Sequence, residues 1–300
     1  PYPVRNYLVS MTRAGALALM VAAPILWSTA GVVTRHVERA TPFEMAFWRS
    51  LFAFLFVGVV LLALRRNPLR IPPAALVSGG LWALMFTSFM IALSFTTTAN
   101  TLVVMSLAPL LTTVLASIFL KDPVPMGTWL AAGAATMGIA WMFASDLNAH
   151  TSRDLLGMLI ALSVPIASAT NFIVLRASSA TADLRSAVML GGLISAVICL
   201  PLALPFQATA KDIALLGFLG MFQLGLPCTL LVLASRKLLA PEISLIALLE
   251  VLLGPLWAWL GAGEVPARAT ITGGAIVLAA LVANELATFH RSRASRLAPR

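Results

Sequence analysis

The chain has 300 residues, of which 60% are hydrophobic and 10% charged, with a net charge of +9 and a mean hydropathy of +0.96. Soluble chains average roughly 45–50% apolar and about 25% charged residues, so a water-soluble domain is excluded, and high apolar content with low charge excludes disorder as well. The two cysteines, Cys199 and Cys228, lie inside apolar runs and make no disulfide framework.

A helix needs about 20 apolar residues to cross the roughly 30 Å hydrocarbon core of a bilayer. Breaking the chain at charges, prolines and polar clusters predicts ten such spans, over 14–34, 42–64, 73–95, 101–120, 126–144, 155–176, 186–205, 213–235, 243–262 and 268–289. Residues 1–10 precede Met11 and read as an appended leader outside the fold. The first span ends without an Ala-x-Ala cleavage site, so it is expected to be retained. It carries Pro24, Trp27 and Ser28, and the second carries Arg49. Trp82 lies in the third span and Pro109 in the fourth. Trp129 and Trp141 bracket the fifth as interfacial anchors should. Pro165 and Asn171 fall in the sixth, Gln223 and Pro227 in the eighth, and Glu250, Pro255 and Trp257 in the ninth. Small residues every fourth position in the tenth (Ala275, Ala279, Ala283, Ala287) and in the fifth (Gly127, Ala131, Ala135) predict close helix packing. A basic tail, 291–300, follows.

Short connections make successive spans antiparallel. With the N-terminus inside, 14 basic residues lie on the cytoplasmic side and 5 outside, with Arg49 left within a span, which accounts for all 20. That asymmetry predicts cytoplasmic N- and C-termini. The positive charge is therefore a topology code facing the lipid bilayer, not a nucleic-acid surface.

The chain repeats itself. Pro24 and Arg35 recur as Pro165 and Arg176, 141 residues on, and Asp122 recurs as Glu264 at an offset of 142. Five spans per copy force opposite orientations, which predicts an inverted repeat with a site where the halves meet. The first copy covers 11–146 and the second 150–290.

Several residues in order resemble the drug/metabolite transporter superfamily with paired EamA repeats. They are Ala18 with Ala22-Ala23-Pro24-Ile25-Leu26-Trp27-Ser28, then Phe47-Trp48-Arg49, then the acidic residues Asp122 and Glu264 closing the fourth and ninth spans. The resemblance runs from Met11 to about Phe289. It implies an all-α membrane protein of ten helices in two inverted five-helix halves, in a bacterial inner membrane, exporting or exchanging small metabolites. The branch it most resembles moves aromatic and other neutral amino acids.

Enzyme chemistry has no foothold. The aspartates lie in loops or at span ends, no histidine is mid-span, and no lysine follows a glycine, so an aspartyl or serine protease, a zinc site and a phosphate loop are all unsupported. No metal or cofactor is expected, and the partners are a small-molecule substrate, lipid and protons, in a monomer or weak dimer. The rival expectation is a non-transporting membrane scaffold or assembly subunit.

The candidate site follows from cost. Proline inside a span frees a carbonyl that lipid cannot satisfy, so Pro24, Pro165 and Pro227 are expected at helix bends beside a watered cavity. Arg49, about seven residues into its span and so roughly 10 Å deep, and Glu250 at similar depth from the other side, are expensive there and default to function. Arg49 is assigned to a substrate carboxylate and Glu250 to proton coupling. The two depths differ by roughly 10 Å, so a direct salt bridge requires the helices to shift or Arg49 to reach. Trp27, Ser28, Trp82, Asn171, Gln223 and Trp257 are assigned to the cavity wall, where flat aromatics and a few polar atoms suit an amphiphilic solute. Glu44 is expected at the interface, and Glu285 is expected to snorkel.

Overall fold

A computed structural model describes residues 11–297 apart from 35, 69–70, 97, 122–123, 143, 145–150, 180–182 and 263–267. The repeat markers Arg35, Asp122 and Glu264 and residues 1–10 lie outside the described residues. Every regular element among the described residues is helical. In chain order they are α1 (Arg13–Trp27), α2 (Ala30–Thr34), α3 (Pro42–Ala63), α4 (Pro73–Phe95), α5 (Thr98–Met105), α6 (Ala108–Leu115), α7 (Met126–Met142) and α8 (Ser152–Ser178). Then follow α9 (Arg185–Ala203), α10 (Ala210–Phe218), α11 (Leu226–Ala234), α12 (Ala240–Ala247), α13 (Leu249–Ala262) and α14 (Arg268–Leu297). Two π-helical stretches, Ala116–Leu120 and Leu219–Gly225, continue α6 and join α10 to α11.

Among the described residues, eight helical stretches are long and apolar enough to cross a membrane. The two shortfalls from ten are α7, with 17 residues, and the interrupted pair α12–α13, whose longer piece has 14. At 1.5 Å per residue α7 is about 26 Å long, a little under the hydrocarbon thickness.

Local chemistry starts the helices. The Thr41 hydroxyl accepts the Glu44 N–H where Pro42 opens α3, and Thr151 with Asp154 and Thr209 with Asp212 form capping boxes on α8 and α10. Two of these caps also clasp loops. Asp212 accepts the N–H groups of Glu38 at 2.9 Å and Arg39 at 3.2 Å, while Glu44 accepts those of Gln207 at 3.0 Å and Ala208 at 2.9 Å. Glu44, at the end of its span, is fully buried, because the loop before α10 closes over it and supplies the donors a buried carboxylate requires. At the opposite end of the bundle, Arg13 at the start of α1 bridges Glu242 at 3.0 Å and Glu285 at 3.1 Å. Glu285 consequently pairs across helices instead of snorkelling.

Glycine sets the closest helix crossings. A Cβ on Gly191 of α9 would lie 2.4 Å from the Trp82 Cβ, and one on Gly220 would lie 2.5 Å from the Arg49 carbonyl. The second crossing has a counterpart. Gly79, 141 residues before Gly220, packs against Leu190, 141 residues after Arg49, at 2.8 Å for a built Cβ. The same helix contact is thus built twice, each time between the two copies. Outside this core, α7 and α14 pair through Gly138 and Gly273, where a Cβ on Gly273 would meet the Gly138 carbonyl at 2.4 Å. That contact turns Val277, Ala280 and Leu281 inward. It leaves Ala275, Ala279 and Ala283 exposed, so the alanine stripe is not the packing face that its spacing suggested.

Gly220→Ala should lower the apparent melting temperature in detergent, at a cost of about 1–3 kcal/mol typical of overpacking. Gly80→Ala, with nothing within 4 Å of the added carbon, should be neutral or stabilising because alanine is the better helix former.

Candidate functional site

Four irregularities of the backbone gather in one place, apart from the π-helical stretch Ala116–Leu120. The first span breaks at Ser28–Thr29 between α1 and α2, the fourth at Ser106–Leu107 between α5 and α6, and the ninth at Leu248 between α12 and α13. Positions 106 and 248 are 142 residues apart, the offset of the sequence repeat. In the eighth span Pro227 has no N–H to offer the Gln223 carbonyl, and the preceding turn widens until the Leu226 N–H reaches the Met221 carbonyl. Hydroxyls repair the breaks: Ser28 donates to the Ile25 carbonyl at 2.8 Å, Thr29 to Leu26 at 2.7 Å and Ser106 to Val103 at 2.6 Å.

Residues flanking all four irregularities line a single cavity: Trp27, Met105 with Ala108, Ala247 with Leu248, and Gln223 with Leu224. Its volume is about 140 Å³ measured to the centres of water-sized molecules. One water needs only about 10–15 Å³ on that scale, so a metabolite-sized solute fits. Trp82, Met85, Phe86 and Phe89 of α4 form one wall, with the Trp82 and Phe86 rings 5.5 Å apart. Val164, Pro165, Ser168 and Phe172 of α8 contribute another, and Arg49, Cys228, Leu231, Ser244, Glu250 and Val251 complete it.

The structure therefore brings Trp27, Trp82, Gln223, Arg49, Glu250 and Pro165 onto one cavity. The other assigned residues stand off it. Asn171 is fully buried and accepts the Ser78 hydroxyl at 2.6 Å; it joins α8 to α4 and does not line the cavity. Trp257 donates its indole N–H to the Ser28 hydroxyl at 2.8 Å, and the pair braces the break after α1. Pro24 sits inside α1, four residues before that break, and Pro227 opens α11; neither reaches the lining. Pro165 reaches it, but α8 runs unbroken through 27 residues, so the sixth span lacks the interruption of the first. Missed from sequence were Met85, Phe86 and Phe89, although with Trp82 they recur at the three- and four-residue spacing of one helix face.

Polar atoms in this wall lack partners. Among the described residues the Nε of Arg49, the indole N–H of Trp82, the side-chain oxygen of Gln223 and the hydroxyl of Ser244 are buried without a hydrogen bond. Each such group costs about 1–3 kcal/mol unless something satisfies it. Arg49 is 5% exposed, and no ion pair among the described residues involves it or Glu250. The site can thus offer a fixed cation, a carboxylate, two N–H donors and an amide acceptor to a solute held between aromatic walls.

A bundle of apolar helices around a partly polar central cavity is the architecture of a multi-pass membrane transporter. The chain belongs to the EamA-like transporter family, whose model matches it twice, over residues 14–144 and 155–284; this places it in the drug/metabolite transporter superfamily. A solved crystal structure aligns with a TM-score of 0.81 at 16% identity, over 92% of this chain and 98% of the other, a likeness that shows the fold alone. No curated protein matches by sequence.

Both cysteines are buried, but only Cys228 of the two lines the cavity. A small maleimide that enters the cavity should therefore label the Cys199→Ser protein and leave the Cys228→Ser protein unmodified, as read by intact-protein mass spectrometry.

Proposed function

We propose that the protein is a secondary transporter that exports or exchanges small amphiphilic metabolites, neutral and aromatic amino acids above all, by alternating access across a bacterial inner membrane. The single observation that carries this reading is the presence of Arg49 and Glu250, unpaired with each other, on one aromatic-walled cavity. In this reading α7 and α12–α13 also cross the membrane. That makes ten crossings in two inverted halves with both termini cytoplasmic, as the distribution of basic residues favours.

The chemistry follows from the groups present. Arg49 receives the substrate carboxylate, since a guanidinium offers a planar fork of donors to it. The rings of Trp27, Trp82 and Phe86 take the apolar side chain. Glu250 carries the coupling proton, and its neutral form lowers the cost of moving that face of the cavity through apolar surroundings. Arg13, Glu242 and Glu285 hold the cytoplasmic end of the first, ninth and tenth spans together, and their parting opens the inner path. The same first and ninth spans meet through Ser28 and Trp257 toward the other end, so opposed motion about the cavity exposes it to each side in turn.

Vesicles loaded with labelled L-phenylalanine test this. Wild type should release label well above protein-free vesicles, and Arg49→Gln should slow release at least tenfold. Glu250→Gln should abolish movement driven by a proton gradient while sparing downhill exchange. Wild-type release at the protein-free rate for a broad solute panel overturns the transport reading. Equal fluxes in wild type and both variants overturn the residue assignments.

A further inference from the structure

We propose that Gln223 is the specificity-determining residue that accepts an N–H group of the transported solute, so that the cavity selects for a free amino group and not only for a carboxylate. The proposal rests on the reading of the cavity as a binding site for a small zwitterion.

Three observations carry it. First, the orientation of the amide is settled by its partner: the Gln223 Nε2 donates to the Trp27 carbonyl at 3.3 Å. A carbonyl only accepts, and Trp27 is the last residue of α1, where carbonyls run out of intrahelical donors. The oxygen is therefore the free end, and it is buried without a partner in a side chain that is 5% exposed and lines the cavity. Second, Gln223 sits in the widened turn of the eighth span, pressed against the second span where Gly220 meets the Arg49 carbonyl. The acceptor and the cationic residue are thus held on adjoining backbone. Third, Gln223 stands 141 residues after Trp82, at the equivalent place in the other copy. Trp82 presents an unpartnered N–H and Gln223 an unpartnered oxygen, both on the same cavity. Equivalent positions have become opposite halves of a polar pair, which orients a solute carrying an acceptor at one end and a donor at the other.

The test uses full-length protein in nanodiscs, with binding of L-phenylalanine and of 3-phenylpropionate measured by calorimetry. The second ligand keeps the ring and carboxylate and replaces the ammonium with hydrogen. Wild type should prefer L-phenylalanine at least tenfold. Gln223→Met, close in size but without the acceptor, should lose at least tenfold in affinity for L-phenylalanine and less than twofold for 3-phenylpropionate. Gln223→Glu keeps acceptors at the same reach and should retain the preference, which provides a reading even if the methionine variant does not fold. Equal losses for both ligands in Gln223→Met, or loss of preference in Gln223→Glu, overturn the assignment and leave the amino-acid reading standing. Failure of wild type to bind either ligand overturns that reading and the assignment with it.

Discussion

The structure depends on one constraint: lipid supplies no hydrogen bonds, so every backbone polar group at membrane depth must be satisfied from within the protein or beside enclosed polar space. Regular helix meets that demand everywhere, and irregular helix meets it only where something stands in. The breaks at Ser28–Thr29, Ser106–Leu107 and Leu248 and the wide turn at 219–225 all border the same cavity. Serine and threonine hydroxyls take up carbonyls of the last turns before the breaks in the first and fourth spans. The cavity is where most of these irregularities meet, and irregular backbone is what turns side chains from several spans toward one point.

The same scarcity governs charge. A guanidinium at depth must be held by contacts it does not choose, and here Gly220 admits the neighbouring helix so closely that the Arg49 backbone has one place to be. Carboxylates away from the cavity are treated differently. Glu44 and Asp212 are saturated by loop N–H groups, and Glu242 and Glu285 share Arg13. Glu250 has neither kind of partner among the described residues. The contrast between carboxylates that fasten the ends of the bundle through loop N–H groups or Arg13 and one in its middle with no such partner separates scaffold from site on physical grounds.

Much of this was legible in the sequence, because hydropathy and rare charges act over one helix at a time. The span limits differ from the observed helices by a few residues, and Arg49, Glu250, Trp27, Trp82 and Gln223 were singled out from depth and residue type alone. What was hidden required a second helix to see. Asn171 reads as a cavity residue until Ser78 is found to occupy it, and nothing in the spacing around Glu44 shows that the loop at 204–209 folds over it. The alanines of the tenth span have ideal spacing for packing, yet the partner helix chose the face of Gly273, where two glycine backbones touch. Spacing states which residues share a face, not which face is used. Phe86 and Phe89 were overlooked for the opposite reason: aromatic residues in an apolar helix carry no cost that draws attention to them.

Duplication explains why the site is both regular and lopsided. Contacts that hold the helices recur at the repeat offset, as in Gly79 on Leu190 and Gly220 on Arg49, because both copies must solve the same packing problem. Side chains that line the cavity need not be alike at equivalent positions, and at the positions of Trp82 and Gln223 they are not. Arg49 corresponds to Leu190, Trp82 to Gln223, and the break in the first span has no counterpart in the sixth. A symmetric lining would offer a solute the same groups from both halves and so could not distinguish its ends. Divergence at equivalent positions converts two identical walls into one cationic and donor-rich side and one acceptor-bearing side, while the repeated crossings hold both halves by the same geometry. Asymmetry in the lining is therefore what a duplicated scaffold needs in order to bind an asymmetric molecule in one orientation.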